Sequence, residues 1–314
     1  MDDVDKVLEP FTYIHSIPGK GVRDILCNGL NLWILCSNDD LEIIKEVIGI
    51  LHNASLVIDD IEDGSLTRRG KPAAHVTFGV PRSLNAANYA YFLAMNKLAE
   101  IASKDMLDIY CEEMLKIHLG QGQDILWREL DIIANENEYR EMVLNKTGGL
   151  FRLAARLMMK KTSFTLREKH PAIINFLNEL AVFFQIRDDL LNLLSSKFHQ
   201  QKGFCEDISE GKYSFMVLYA LRTCSLGGEL KSILKKRTME TEEINRAVEI
   251  LMESGAIGYS LTYLIELGAS LHIRIKNLGE NALLSQLIHK LLKEIKNLER
   301  SFVLEDEIEE KATE

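Results

Sequence analysis

The chain has 314 residues, 46 % of them apolar, with 37 basic side chains against 47 acidic ones and a net charge of -10. That length and apolar share allow one large core, and the acidic balance, with a pI near 5.4, excludes a surface built to grip nucleic acid. The opening stretch MDDVDKVLEPFTY has neither the basic nor the apolar region of a secretory signal, no run approaches about eighteen apolar residues, and the cysteines at 27, 36, 111, 205 and 224 show no C-x-x-C spacing. The expectation is a cytoplasmic protein with reduced thiols and no membrane span.

Helices are expected almost throughout. Prolines occur only at 10, 18, 72, 81 and 171, while Leu, Ile, Glu and Lys are abundant. The first break is PGKGVR (18–23), where Lys20 and Arg23 sit in a short segment whose glycines let backbone approach a ligand. LEIIKEVIGILHNASLVIDD (41–60) then repeats apolar residues at helical steps and is apolar around most of its circumference near 51–58, as a helix surrounded by others would be. It closes on Asp59, Asp60, Glu62 and Asp63, and Arg68 and Arg69 follow at once. With His52 at zero, about 100° per residue puts Asp59 at about -20° and Asp63 at about +20°, on one stripe, with Asp60 on the flank.

Further on, KTGG supplies Lys146 and Thr147. The helical stretch at 172–194 ends FFQIRDDLLN, with Gln185 and Asn192 on the face of Asp188 and with Asp189 flanking. Lys202 and Lys212 follow. Strand alternation is scarce, no hairpin dipeptide separates two β-branched runs, and no repeat is present. The fold class expected is all-α, a bundle of long helices forming a single domain over 1–314, with the acidic stretch after about 303 a disordered, solvated tail.

Carboxylates at a helix C-terminus oppose the helix dipole, and directly after apolar segments they need a counter-charge. All-oxygen donors without a histidine or cysteine cluster favour Mg²⁺ or Mn²⁺ over Zn²⁺, and Mg²⁺ held by few carboxylates implies a phosphorylated ligand. Lys20, Arg23, Arg68, Arg69, Lys146, Lys202 and Lys212 are candidates to meet its phosphates, and His52 fits a phosphate contact better than a catalytic base. A P-loop is excluded because GSLTRRGKP has five residues between its glycines and Pro72 after the lysine. The K-T-G of penicillin-binding proteins is excluded because S-x-x-K comes later (209–212) and S-D-N is absent.

These segments together resemble the trans-prenyl diphosphate synthases. DDIED before RRG is similar to that family's first aspartate-rich motif and FFQIRDD to its second, and PGKGVR, LHNASLVIDD, GQGQDILWR, KTGGLF and EDISEGKYSF stand in the family's order, from about residue 10 to 220. The closest likeness is to animal and fungal geranylgeranyl diphosphate synthases. The resemblance implies an all-α bundle around a central cavity, a homodimer or higher oligomer, and about two or three Mg²⁺ ions to a site, with Mn²⁺ as the alternative. It implies that Asp59 and Asp63, with Asp60 supporting and Asp188 opposite, hold metal on an allylic diphosphate that Arg68, Lys146, Thr147, Gln185, Lys202 and Lys212 contact. Lys20, Arg23, His52 and Arg69 would hold isopentenyl diphosphate.

The implied activity joins isopentenyl diphosphate to dimethylallyl, geranyl or farnesyl diphosphate to make geranylgeranyl diphosphate, with release of diphosphate. Shorter-chain synthases, a terpene synthase on the same scaffold and a non-catalytic regulatory subunit are the alternatives. Ala54 and Ser55, small residues about one turn before Asp59, are the expected wall of the tunnel for the growing chain, with Tyr89 and Phe92 as candidates for its end. Two positions depart from the family pattern: Asn192, where many relatives have a third Asp, and Met216, where a proline is usual.

Overall fold

The computed structural model describes residues 2–19, 21–162, 168–195 and 204–313, with side chains through residue 299. Lys20 and Lys202 therefore lie outside the described residues. The all-α expectation holds. The helices are α1 (Asp3–Ser16), α2 (Val22–Ile34), α3 (Asn38–Asp63), α4 (Ala74–Phe78), α5 (Val80–Ala99), α6 (Lys104–Leu130), α7 (Glu136–Lys146), α8 (Gly148–Lys160), α9 (His170–Leu194), α10 (Glu206–Ser209), α11 (Phe215–Thr223), α12 (Gly227–Lys236), α13 (Thr241–Glu253), α14 (Ala256–Leu278) and α15 (Ala282–Thr313). The acidic stretch expected to form a tail falls where side chains are outside the described set.

One short hairpin interrupts the helices, β1 (Thr67–Arg68) paired antiparallel with β2 (Lys71–Pro72). No Asn-Gly or Asp-Gly announces it. Its turn is Arg69–Gly70, with both residues at positive φ (54° and 74°), the two-residue geometry whose twist matches antiparallel strands.

Local sequence sets the helix ends. Ser37 caps α3 by accepting from the Asp40 amide at 3.2 Å, and Gly64 in the left-handed region (φ 73°) ends it after 26 residues. Pro10 lies inside α1 and leaves the Lys6 carbonyl without its helical donor; Arg82 Nη2 approaches that carbonyl at 3.5 Å.

Helix α8 is central, packing against α2, α3, α6, α7 and α9. A ring of contacts closes around one side of it, from α9 to α14 to α15 and back to α2, and α1, α3 and α5 pack together on the other. The expectation of two buried helices carrying acids is met: α3 and α9 both flank α8 and both carry acidic pairs near their C-termini, although α9 runs five residues past Asp189 to Leu194. A buried ion-pair network fixes this junction. Arg152 of α8 donates to Glu113 of α6 at 2.8 and 3.1 Å, to the Leu144 carbonyl of α7 at 2.6 Å and to Asn178 of α9 at 3.2 Å. Arg156 adds a second cation to Glu113 at 2.5 Å. Four helices thus share one satisfied polar cluster at the base of the acidic pairs.

Candidate active site

The end of α3 delivers Asp59, Asp60 and Asp63, and the hairpin that follows sends its two arginines in opposite directions. Arg68 turns back onto α3. It donates from Nε to Asp60 Oδ1 at 2.7 Å, pairs a second time with Asp60 through Nη2, and reaches Asp59 Oδ2 at 3.4 Å. Asp60 is fully buried and Arg68 is 6 % exposed. Arg69, at positive φ, turns instead to the loop before α2: its Nη1 donates to the Ile17 carbonyl at 2.6 Å, and Nη2 to Asn53 at 3.4 Å.

Around Arg69 the structure gathers cations whose mutual repulsion, after burial, outweighs the nearby acids Asp24, Asp59 and Asp60. Burial and the charge of Arg69 lower the pKa of Arg23 to about 10, and its Nη1 is buried with no hydrogen-bond partner among the described residues. Burial first, then Arg23, Arg69 and Arg68, push the His52 imidazole well below the ordinary histidine range. Three positively charged or protonatable groups crowded in this way form a seat shaped by its electrostatics for an anion.

The opposite side of Asp59 and Asp63 is built by α6 and the α7–α8 junction. Gln121, Asp124 and Arg128 lie on one stripe of α6. Gln121 donates to Asp59 Oδ1 at 3.2 Å and to Glu62 at 2.8 Å, and Arg128 donates to Asp63 Oδ1 at 2.6 Å and to the Glu62 carbonyl at 3.1 Å. Lys146 donates to Asp124 at 2.6 Å and lies 3.8 Å from Asp59. Burial opposes its charge, but Asp124 and Asp59 outweigh that and keep its pKa above the ordinary lysine value. Gly120 makes the approach possible, since a Cβ there would stand 2.3 Å from the Lys146 amide nitrogen. Reading the sequence alone did not single out Gln121, Asp124 or Arg128, although GQGQDILWR carries their i, i+3, i+7 spacing.

From α9, Gln185 accepts from Thr147 Oγ1 at 2.7 Å and donates to Asp189 at 2.9 Å. Lys212 donates to Asp189 at 2.9 Å and to Asp207 at 3.2 Å. Asp188 is the more open acid of its pair, its side chain 40 % exposed, with Arg187 donating to it at 2.9 Å and also holding Glu294 of α15. Ser65, just past α3, donates to buried Glu210 at 2.6 Å and so ties the first acidic cluster to the turn that bears Lys212.

Both departures from the family pattern have structural accounts. Asn192 is buried and its Oδ1 accepts from the Asp207 amide at 3.1 Å, so it orders the backbone that leads to Lys212. Met216 is buried at the second position of α11, where a helix needs no internal bond from the amide, and Ser214 supplies the cap.

Among the described residues no three acidic, histidine or cysteine side chains gather closely enough to hold a metal ion by themselves. The donor set still suits a hard cation: Asp59 and Asp63 offer only oxygen, and burial, then Asp59, push the Asp63 carboxyl up to about 6, as in a site short of positive charge.

Of the two wall residues, Ala54 is fully buried and Ser55 is half-buried, its hydroxyl donating back to the His52 carbonyl at 2.9 Å. The aromatic candidates are corrected. Tyr89 and Phe92 are 42 % and 70 % exposed, whereas Tyr91 between them turns inward, its ring edge-on to His118 at 5.5 Å. Burial, then Glu62, hold the Tyr91 phenol above the ordinary tyrosine range, which places it under the field of the acidic end of α3.

The polyprenyl synthetase family pattern matches residues 4–251. A geranylgeranyl pyrophosphate synthase of Metarhizium anisopliae is 44 % identical over 87 % of this chain and 81 % of its own length. The corresponding proteins of Dictyostelium discoideum (40 %, over 91 % and 93 %) and Mucor circinelloides f. lusitanicus (39 %, over 93 % and 95 %) align over still more of both chains. With a pattern match over most of its residues and relatives aligned nearly end to end, this chain belongs to the polyprenyl synthetase family.

Proposed function

We propose that this chain condenses isopentenyl diphosphate with an allylic diphosphate (dimethylallyl, geranyl or farnesyl) to make the C20 geranylgeranyl diphosphate with release of diphosphate. One observation carries the reading: two differently built anion seats flank one acidic cluster. Arg23, His52 and Arg69 form the first, with Lys20 as the residue the family pattern adds. Lys146, Thr147, Gln185 and Lys212 form the second, with Lys202 added in the same way, and Arg68 reaches over Asp59 from the hairpin. The relatives' names support the C20 product.

Asp59, Asp63 and Asp188 would hold Mg²⁺, which when bound supplies the charge that makes the allylic diphosphate a leaving group. The protein's own groups do the rest. Lys146 and Lys212 meet the charge growing on the departing diphosphate, while Thr147 and Gln185 orient it. Arg23 and Arg69 hold the second diphosphate so that its double bond faces the allylic carbon. Asp60 keeps Arg68 in place. The double bond of isopentenyl diphosphate would attack the allylic carbon as its bond to the diphosphate breaks, and the proton lost from the coupled cation would pass to the departing diphosphate. No protein nucleophile is therefore required, and water must be kept from the cation. The test is direct: purified protein with Mg²⁺, farnesyl and isopentenyl diphosphates should consume both and yield one longer linear diphosphate. Asp59→Ala or Asp63→Ala should cost roughly a thousandfold or more in kcat while circular dichroism is unchanged. Near-normal turnover of either variant in saturating Mg²⁺ would sink the metal assignment.

Because the arginines diverge at the hairpin, their losses should read differently. Arg69→Ala should raise the KM for isopentenyl diphosphate by about tenfold or more, through loss of a charge-assisted contact, with little change for the allylic partner. Arg68→Ala should do the reverse. Equal effects on both substrates from both variants would refute the division.

Ala54 and Ser55 would form the wall past which the growing chain runs, since both lie on α3 just before Asp59 and both are small. Tyr91, inward-facing on α5, replaces Tyr89 and Phe92 as the candidate for the end of the tunnel. A phenyl ring is about the size of one isoprene unit, so Ser55→Phe should shift the main product from C20 toward C15 while condensation stays measurable. Chromatography of dephosphorylated products decides it, and an active Ser55→Phe enzyme that still makes only C20 refutes the wall.

A second copy of this chain would complete the assembly. Leu115, Leu119, Leu126 and Leu130 form one exposed stripe along α6, 51–73 % exposed, and Leu84, Phe92 and Met95 expose another on α5. A continuous apolar face of this kind is what a self-association surface presents. Sedimentation equilibrium should give a dimer or larger, and Leu119→Glu with Leu126→Glu should give monomer. Unmutated protein that is monomeric at micromolar concentration would overturn it.

A further inference from the structure

We infer that Tyr139 is a positioning residue for the allylic-diphosphate seat and acts through Asp189; this rests on the function proposed above. Asp189 is 2 % exposed and Tyr139 is 1 % exposed, so neither meets solvent, and Tyr139 touches none of the groups assigned to substrate apart from what it does through Asp189. The carboxylate has two differently occupied sides. Its Oδ1 accepts from Gln185 at 2.9 Å and from Lys212 at 2.9 Å, and these are substrate-facing groups. Its Oδ2 accepts from the Tyr139 hydroxyl at 2.8 Å and from the Phe215 amide at 3.3 Å. Four donors fill the lone-pair directions of one carboxylate, and a group so held cannot rotate.

The chain of contacts runs outward from there. Gln185, fixed by Asp189, presents its Oε1 to Thr147, and Lys212 divides its ammonium between Asp189 and Asp207. Both groups assigned to the allylic headgroup from α9 and the turn beyond α10, Gln185 and Lys212, are therefore set by one buried carboxylate, whose orientation Tyr139 fixes from α7. The tyrosine itself is held by its ring, which packs against Phe215 at 5.3 Å, the same residue whose amide completes the Oδ2 side. Removing only the hydroxyl leaves that packing in place. It leaves Oδ2 with the longer of its two bonds and frees the carboxylate to swing, so that Gln185 and Lys212 lose their shared anchor. Nothing in this arrangement reaches Arg23, His52 or Arg69.

The experiment is steady-state kinetics of Tyr139→Phe with each substrate varied in turn, beside thermal unfolding and calorimetric binding of the unreactive farnesyl S-thiolodiphosphate. The KM for farnesyl diphosphate and the dissociation constant of the thiolo analogue should both rise by about tenfold, the loss of one hydrogen bond to a buried charge, while the KM for isopentenyl diphosphate stays within about twofold. Asp189→Asn should give the same split, and adding Tyr139→Phe to it should change the farnesyl KM by less than about twofold, since both act through one carboxylate. A purely structural tyrosine would instead lower the unfolding temperature and kcat and leave both KM values alone. That pattern, equal rises in both KM values, or full additivity in the double variant overturns the positioning role while the function stands. Unmutated protein that condenses nothing overturns the function and this role together.

Discussion

Three carboxylates at the negative end of a long helix form the constraint around which the rest is arranged. The C-terminus of α3 carries Asp59, Asp60 and Asp63 directly after an apolar run, where both the dipole and burial disfavour their charge. The structure answers with cations from three separate segments: Arg68 from the adjoining hairpin, Arg128 from α6 and Lys146 from the end of α7. Each has to arrive along its own element. The left-handed Arg69–Gly70 turn, the bare surface of α6 at Gly120 and the buried Glu113–Arg152 network under the α7–α8 junction are the devices that bring them. Even so, burial first and then the charge of Asp59 hold the Asp63 carboxyl up at about 6 against the pull of Lys146 and Arg128.

Much of this was legible in the sequence where periodicity and charge coincide. The stripe of Asp59 and Asp63 followed from helical spacing alone, as did a second acidic pair in the last turns of α9. What could not be read were relations between elements. Asp189 looked like a flank residue beside Asp188, because helical angle says which way a side chain leaves its own helix and not what comes to meet it. The residues that meet it, Tyr139, Lys212 and the Phe215 amide, are up to fifty positions away in sequence. The α6 stripe of Gln121, Asp124 and Arg128 was hidden because leucines on the opposite, exposed face of the same helix blur its polarity. Tyr89, Tyr91 and Phe92 are alike as letters in the sequence, and only the packing of α5 shows that Tyr91 is the ring turned inward.

The two arginines after the first acidic motif show the limit most sharply. Their divergence is not strand alternation: Arg68 ends β1, whereas Arg69 is the first residue of the turn, at positive φ. Nothing in GSLTRRGKP announces a strand, and an arginine in the left-handed region costs about 1–2 kcal/mol against its ordinary conformations. The turn exists because its products are held: Arg68 by Asp60, Arg69 by the Ile17 carbonyl and Asn53. Tertiary contacts here outweigh local propensity, at a place where, on the proposed function, two neighbouring cations would serve different ligands.

On the proposed function, that separation also explains how two substrates with the same headgroup could be sorted. The seat around Arg23, His52 and Arg69 is cationic with little acid near it, so a bare diphosphate relieves repulsion already present among its walls. The seat around Lys146 and Lys212 is different, because each of its cations is already paired with a carboxylate, Asp124 in one case and Asp189 and Asp207 in the other. Asp59 and Asp63 stand beside it as well. A bare diphosphate entering there would meet carboxylates as well as ammonium groups, and the balance favours binding only when divalent cations accompany it. On that reading, the difference in charge between the seats would direct the metal-dependent departure to one diphosphate and spare the other, which must keep its headgroup through the reaction. Tail shape need then decide only which hydrocarbon lies along α3 past Ala54 and Ser55.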